Sequence, residues 1–225
     1  MQAMDKMKVD ALFSLEHTIA AELFSGIEYP WEALSEIKEF IQKLGPTLGD
    51  AFEKRGDDIW IAKSAKIAPT AELNGPLIVD EGAEIRHCAY IRGSAIVGKK
   101  AVVGNSTELK NAVLFDGAQA PHFNYVGDSI LGRGAHLGAG SIISNFKSTK
   151  EPVKVRIGDV VIETSMRKFG AIVGDGVEVG CNAVLNPGTL VGKGSLIYPL
   201  TSVRGYIPSG MICKGRDELV PYRTK

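Results

Sequence analysis

His122 is the residue with the most immediate chemistry in this chain. An imidazole titrates near neutrality, so it can take a proton from an attacking nucleophile. It stands between Pro121 and Phe123 in the stretch DGAQAPHFNYVGDSI, residues 116–130, with Tyr125 three residues on. Arg92 and Lys110 each directly follow a large apolar residue, Ile91 and Leu109. Two cations brought together repel, an anion between them turns that cost into attraction, and a guanidinium fork suits phosphate oxygens. Gly138-Ala139-Gly140 carries almost no side chain, which leaves backbone N–H groups open to a carbonyl oxygen. The bland readings stand beside these: an incidental histidine, two solvated cations, and a tight corner that only needs small residues.

Other chemistries find little support. Cys88, Cys181 and Cys213 lie far apart with no CxxC pair, which argues against a disulfide framework and a cysteine zinc site. The four histidines, His17, His87, His122 and His136, are not paired at the close spacing of a zinc site such as that of the hexapeptide-fold carbonic anhydrases, so no metal is expected. The 26 Lys+Arg balance 26 Asp+Glu. That zero net charge speaks against a generally basic nucleic-acid binder and gives no pull toward membranes. No apolar run approaches the roughly 18 residues that cross a bilayer, and residues 1–10 lack the apolar stretch of a signal peptide. A soluble cytoplasmic protein is the expectation.

The elements that must position these residues are written in a repeat. Stepping six residues from Ile61 gives Ile67, Leu73, Val79, Ile85, Ile91, Val97, Val103, Leu109 and Phe115, all large and apolar. Such a run arises by chance on the order of once in tens of thousands of trials. The register breaks after Phe115, returns at Leu131, Leu137 and Ile143, and returns again from Val173 to Val203. A period of six suits neither a helix nor an indefinitely extended strand, but it suits a solenoid whose hexapeptides each make a short strand and a corner. Such sequences resemble the left-handed parallel β-helix, with three sides and 18 residues per coil. On that resemblance Arg92 and Lys110, 18 residues apart, stack one coil apart at about 5 Å.

The fold class expected is therefore mainly β, a left-handed parallel β-helix over residues 57–212, preceded by a helical segment (1–56) and followed by a loose tail (213–225). Leu12, Leu15, Ile19 and Leu23, then Trp31, Leu34, Ile37, Ile41 and Leu44, follow helical spacing and predict two amphipathic helices that cap the first coil or contact a neighbour. Three breaks interrupt the repeat: 116–130, which puts His122 in a loop off the coil; 144–156, a polar, mobile-looking loop; and 162–171.

HFNYVGD (122–128) followed by HLGAGSIISN (136–145) resembles the acetyltransferase domain of the bifunctional glucosamine-1-phosphate acetyltransferase/N-acetylglucosamine-1-phosphate uridyltransferases. The spacing from Tyr125 through Gly138-Ala139-Gly140 to Asn145 is that family's, and the likeness runs from about residue 60 to 205. The chain is similar to a single-domain relative of the UDP-N-acetylglucosamine pyrophosphorylase-related type, and residues 1–56 hold no counterpart of the glycine-rich nucleotide loop. The resemblance implies an N-acyltransferase that uses acetyl-CoA on an amino-sugar phosphate such as glucosamine 1-phosphate, and a homotrimer with sites between subunits. It implies His122 as general base, Asn145 on the acetyl carbonyl or amine, and Arg92 and Lys110 on the sugar phosphate. Tyr125 and His136 would contact the sugar, and Ala139 the thioester. Lys147, Lys150 and Lys154 could face the coenzyme A phosphates. Two positions depart from the pattern: His136 stands where the family has Asn, and Phe146 where it has Tyr. A non-catalytic module that binds sugar phosphate or nucleotide sugar is the other expectation, since such solenoids also serve as oligomerisation domains.

Overall fold

The structure is a computed structural model that describes residues 3–215 and 218–222. The chain folds as the expected β-solenoid, with three flat faces of short parallel strands. On the first face the inward residues stack in register from Ile61 through Val79, Val97, Leu114, Leu131, Val173 and Val191 to Ile207. Ile85, Val103 and Ala120 belong to the second face, and Ile91, Leu109, Val126 and Ile143 to the third. These ladders meet in one aliphatic core. Aliphatic side chains suit it because a triangular coil leaves room for one branched side chain per side at crystal-like density. Corners between the first and second faces demand a left-handed backbone, and glycine supplies it at Gly82, Gly117, Gly134, Gly176, Gly194 and Gly210, with φ between +62° and +69°.

The first expected break is not one. The ladder passes from Leu109 to Leu114, Ala120, Val126 and Leu131, so residues 116–130 form a regular coil with two steps shortened by one residue. The shortening turns Phe115 outward, where its ring packs against Phe13 (4.9 Å between centroids) and Phe24 (5.8 Å). His122 accordingly ends a strand, Gln119–His122, and lies at a corner of the coil. The other two breaks are a single excursion between Ile143 and Ala171. It folds into an antiparallel hairpin of Lys154–Ile157 with Val160–Glu163, and Val153, Val155 and Phe169 are fully buried. Those apolar anchors dock what the polar sequence suggested was a mobile loop.

The N-terminal segment lies along a side of the solenoid, not over its end. The central residues of the first-face strands, Ile78, Ile96, Val113, Ile130, Ile172 and Leu190, point outward yet are wholly buried. Phe13, Phe24, Trp31, Leu34, Ile37 and Ile41 cover them in a second core. The first expected helix is a short turn of helix, Val9–Leu12, followed by 3-10 turns at Leu15–His17 and Ala21–Phe24. The backbone is extended at Phe13, Ser14 and Thr18 because the Leu12 and His17 carbonyls accept the N–H groups of Asp175 and Asp116 at 3.1 Å, which a continuous helix would not allow. The second element is closer to expectation: a 3-10 stretch, Pro30–Ser35, leading into a helix, Ile37–Leu44.

An antiparallel strand covers one strand edge at each end of the solenoid, Phe52–Lys54 on Ile59–Ala62 and Glu218–Pro221 on Met211–Gly215. The expected loose tail is thus ordered at 218–221; residues 216, 217 and 223–225 lie outside the described residues. Among the described residues no helix is long and apolar enough to cross a membrane.

Two expectations follow from this packing. Trp31 is 3% exposed and stacks on Tyr29 at 4.6 Å, so Trp31→Ala should lower stability by about 3 kcal/mol, read as a shift of the urea midpoint, while Leu200→Ala, at a residue 79% exposed, should leave it unchanged. Asp80 is 1% exposed, and its Oδ2 has no partner while Oδ1 accepts the Glu81 N–H at 2.7 Å. Burial holds this carboxyl above the usual carboxylate range, against the pull of the Glu81 N–H and Lys99. A raised acid binds its proton more tightly when folded, so stability falls as pH climbs from the unfolded pKa through the folded one. Asp80→Asn should therefore stabilise the protein at neutral pH by on the order of 1 kcal/mol, and the gain should vanish in acid.

Candidate functional site

Apart from His136 and Lys150, the sequence-predicted residues gather at the two edges of the third face. At its junction with the first face, Arg92 and Lys110 stack as expected, since the Arg92 N–H donates to the Leu109 carbonyl at 2.9 Å. Neither cation is bare. Arg92 Nη1 donates to Glu108 at 2.8 Å, and Lys110 Nζ donates to both Asp128 oxygens at 2.8 and 3.1 Å. The repulsion expected of two naked charges is relieved by a carboxylate on each. Three N–H donors on Lys110 and five on Arg92 leave donors over for a further anion.

Asp128 organises this edge. It is 4% exposed, and its carboxylate also accepts the side-chain amides of Asn111 (3.0 Å) and Asn145. Asn111 donates as well to the Leu34 carbonyl at 3.0 Å, tying the edge to the N-terminal segment. Tyr125 stands in register with Glu108, and its hydroxyl meets Asn145 over Gly127. A Cβ at Gly127 would lie 2.7 Å from that hydroxyl and 2.6 Å from Asn145 Nδ2, so a side chain there would displace one or both groups. Burial pushes the Tyr125 phenol up, with Glu108 and Asp128 adding to it and the bond to Asn145 opposing. The hydroxyl therefore keeps its proton and can donate. Sequence reasoning assigned Asp128 no role; the available signal was an acid one coil beyond Lys110.

The other edge carries His122 and Ala139. The His122 carbonyl accepts the Gly140 N–H at 3.0 Å, which sets Ala139 beside it on the next coil. The imidazole is exposed, and among the described residues it has no hydrogen-bond partner; nor has the Ala139 N–H. Asn124 is buried, and its Nδ2 donates to the Gly138 and Ser141 carbonyls, so it staples two coils together. His136 projects from the second face and pairs through Nδ1 with Glu178 at 2.9 Å. Within one chain no hydrogen bond or ion pair among the described residues joins His122 to Arg92 or Lys110.

Lys147 and Lys154 line a cavity of about 310 Å³ with Arg156 and Arg204, whereas Lys150 sits in the exposed turn whose N–H caps the Lys147 carbonyl. Lys147 and Lys154 are paired with Glu151 and Glu163. Arg156 and Arg204 have no ion pair among the described residues, and both also line a neighbouring cavity of about 970 Å³ near the last coil. Sequence reasoning missed both arginines, because only folding of the excursion brings Arg156 to Arg204. Register carries Asn145 to Pro187 and then Gly205, so the arginines lie two coils, roughly 10 Å, along the edge that holds Asp128. Among the described residues no cluster of three or more His, Cys, Asp or Glu could hold a metal ion.

The sequence pattern over these coils is a family's pattern: the model described as the GMPPB C-terminal domain matches residues 73–189, just over half of the chain. The chain belongs to the GMPPB C-terminal domain family. It is also 32% identical over 216 residues to the bifunctional protein GlmU of Methanococcus maripaludis (strain C5), covering 88% of this chain and 48% of that protein. The bifunctional protein GlmU of Methanocaldococcus jannaschii is 30% identical over 239 residues, with 94% and 55% covered. The chain thus spans about half the length of the curated relatives it matches. Among solved structures, the acetyltransferase domain of PglB from Neisseria gonorrhoeae, in complex with acetyl coenzyme A, is 16% identical with a TM-score of 0.38, covering 84% of this chain and 68% of that one. The relatives named GlmU are of the bifunctional kind that the blocks at 122–128 and 136–145 resemble.

In this member of the GMPPB C-terminal domain family, Asp128 offers a direct test of the edge it organises. Asp128→Ala should cost about 2 kcal/mol in the denaturation midpoint, because it strands two amides and a partly buried ammonium. Glu178→Ala, which removes only the exposed partner of His136, should cost less than about 0.5 kcal/mol.

Proposed function

We propose that this protein is an acyl-CoA-dependent N-acyltransferase, of the acetyl-CoA type, acting on an amino-sugar phosphate such as glucosamine 1-phosphate. One observation carries the reading: the bare imidazole of His122, beside the open Ala139 amide, occupies one edge of the third face while the Arg92–Lys110–Tyr125–Asn145 cluster occupies the other. A homotrimer that sets the His122 edge of one chain against the Asn145 edge of the next would bring the two halves together.

In this reading the remaining donors of Arg92 and Lys110 take the sugar phosphate, while Glu108 and Asp128 hold the cations in place. The Tyr125 hydroxyl orients the sugar. His122 takes a proton from the amine as its nitrogen attacks the thioester carbonyl. The carbonyl oxygen, gaining charge, accepts the Ala139 N–H, while Asn145, its two N–H groups given to Asp128 and Tyr125, accepts the amine N–H through Oδ1. Collapse forms the amide bond and breaks the carbon–sulfur bond, and the coenzyme A thiolate leaves with the proton from the imidazolium. No metal or covalent enzyme intermediate is required. Arg156 and Arg204, with Lys147 and Lys154, supply an anion site for the coenzyme's phosphates, apart from the site of the sugar phosphate.

The experiment is coenzyme A release from acetyl-CoA with glucosamine 1-phosphate and related amino-sugar phosphates. His122→Ala should lower kcat by roughly 10²–10⁴-fold with little change in either KM. Arg204→Ala should raise the KM for acetyl-CoA several-fold and leave that for the sugar unchanged. Undiminished turnover in His122→Ala would remove the base. The carboxylates on both cations favour a second reading, a module that binds nucleotide sugar or sugar phosphate without chemistry. It is distinguished by saturable binding of the sugar phosphate with no coenzyme A release.

A further inference from the structure

The edge that carries His122 carries a second cluster, on the first and second coils, that acyl transfer does not use. Thr70, His87 and Cys88 are all exposed there. The Thr70 hydroxyl lies 2.7 Å from His87 Nδ1 and accepts the Cys88 N–H at 3.3 Å, and His87 Nε2 lies 3.2 Å from Cys88 Sγ. The next coil holds His87 from below, with its carbonyl accepting the Ser106 N–H at 3.2 Å and Asn105 Nδ2 at 3.3 Å. These contacts select a tautomer. With the proton on Nδ1, Thr70 Oγ1 accepts both neighbouring N–H groups and the Nε2 lone pair faces the thiol. The opposite tautomer would aim an N–H at sulfur, a weak acceptor. A nucleophile, a base and a group that orients the base are the parts of an activated thiol.

We propose that Cys88 is a thiol–disulfide exchange site, with His87 as its base and Thr70 orienting the imidazole, and that its substrate is a small, solvent-borne disulfide. The thiol proton passes to Nε2, and Sγ attacks one sulfur of the disulfide. The S–S bond of the small molecule breaks, a new one forms to Cys88, and the departing thiolate takes the proton from the imidazolium. The disulfide is the oxidant and is reduced by one thiol equivalent. The other cysteines are built differently. Cys181 is exposed but its thiol has no partner among the described residues, and Cys213 is buried, donates to the Gly215 carbonyl at 3.4 Å and has its thiol pushed up by burial.

That contrast provides an internal control. The full chain, reduced and then exposed to oxidised glutathione near neutral pH, is followed by peptide mapping of mixed disulfide at each cysteine. Cys88 should react at least roughly fivefold faster than Cys181. His87→Gln should bring Cys88 down to the Cys181 rate, Thr70→Val should fall between, and Cys88→Ser should remove the fast phase alone. All three substitutions are on the exposed edge, and an unchanged circular dichroism spectrum establishes that the coil persists. Equal rates at Cys88 and Cys181 in the unaltered protein, or a Cys88 rate indifferent to His87→Gln, would overturn the proposal. The readout involves no acyl transfer, so its failure is distinguishable from failure of the catalytic reading.

Discussion

Coil-to-coil hydrogen bonding imposes the constraint from which the rest of this structure follows. Strand N–H groups of one coil donate to carbonyls of the coil after it, as Glu84 does to Ala101 and Arg92 to Leu109, so whatever residue occupies a given place on one coil stands about 4.8 Å from its counterpart on the next. Inward, this makes three continuous aliphatic ladders. Outward, it makes columns of functional groups: Arg92 over Lys110, Glu108 over Tyr125, and Asn105 over His122. Charges pair across coils as well, as Lys110 meets Asp128 and Lys66 meets Glu84 one coil on. The architecture brings distant residues together without a pocket being carved out of the core.

The same constraint creates a problem on the first face, where both sides of the strands are apolar. A row from Ile78 to Leu190 would expose six large aliphatic side chains. At about 25 cal/mol per Å² of apolar surface, covering such a row is a substantial part of what holds the chain folded. The N-terminal segment and the apolar anchors of the 144–170 excursion share this task and meet at Trp31 and Phe169, whose ring centroids are 6.0 Å apart. Covering also reaches the site, because Asn111 bridges the Leu34 carbonyl and the Asp128 carboxylate. The segment outside the solenoid is thereby coupled to the edge that holds Lys110 and Asn145.

Residues of one face divide their work by edge. Buried Asp128 gathers Lys110, Asn111 and Asn145 into a satisfied network that resists rearrangement, whereas His122 and Ala139 offer an uncommitted ring and an uncommitted amide. Rigid positioning thus lies on one edge and open donors and acceptors on the other, and the third face keeps them apart in a single chain. Two further guanidiniums, Arg156 and Arg204, extend the polar track toward the last coil.

The six-residue period by itself determined the solenoid and its aliphatic core, because a parallel coil admits only one inward position per side and that position must be apolar; the stacking of Arg92 on Lys110 needed in addition the three-sided coil that the resemblance implied. Helical spacing also picked out Trp31, Leu34, Ile37 and Ile41, which are buried, but not Phe13 and Phe24, which are buried as well. Only the tertiary structure decided that 116–130 is an ordinary coil, since a one-residue shortening of two steps erases the period while leaving the ladder intact. It alone decided where the N-terminal segment lies, because Ile78, Ile96 and Val113 read as strand interior until one asks what covers their outer side. It alone paired the cations with Glu108 and Asp128 and brought Arg156 to Arg204. Side-chain partnerships across coils depend on which way each group leans from its corner, and that direction is not written in the order of the residues.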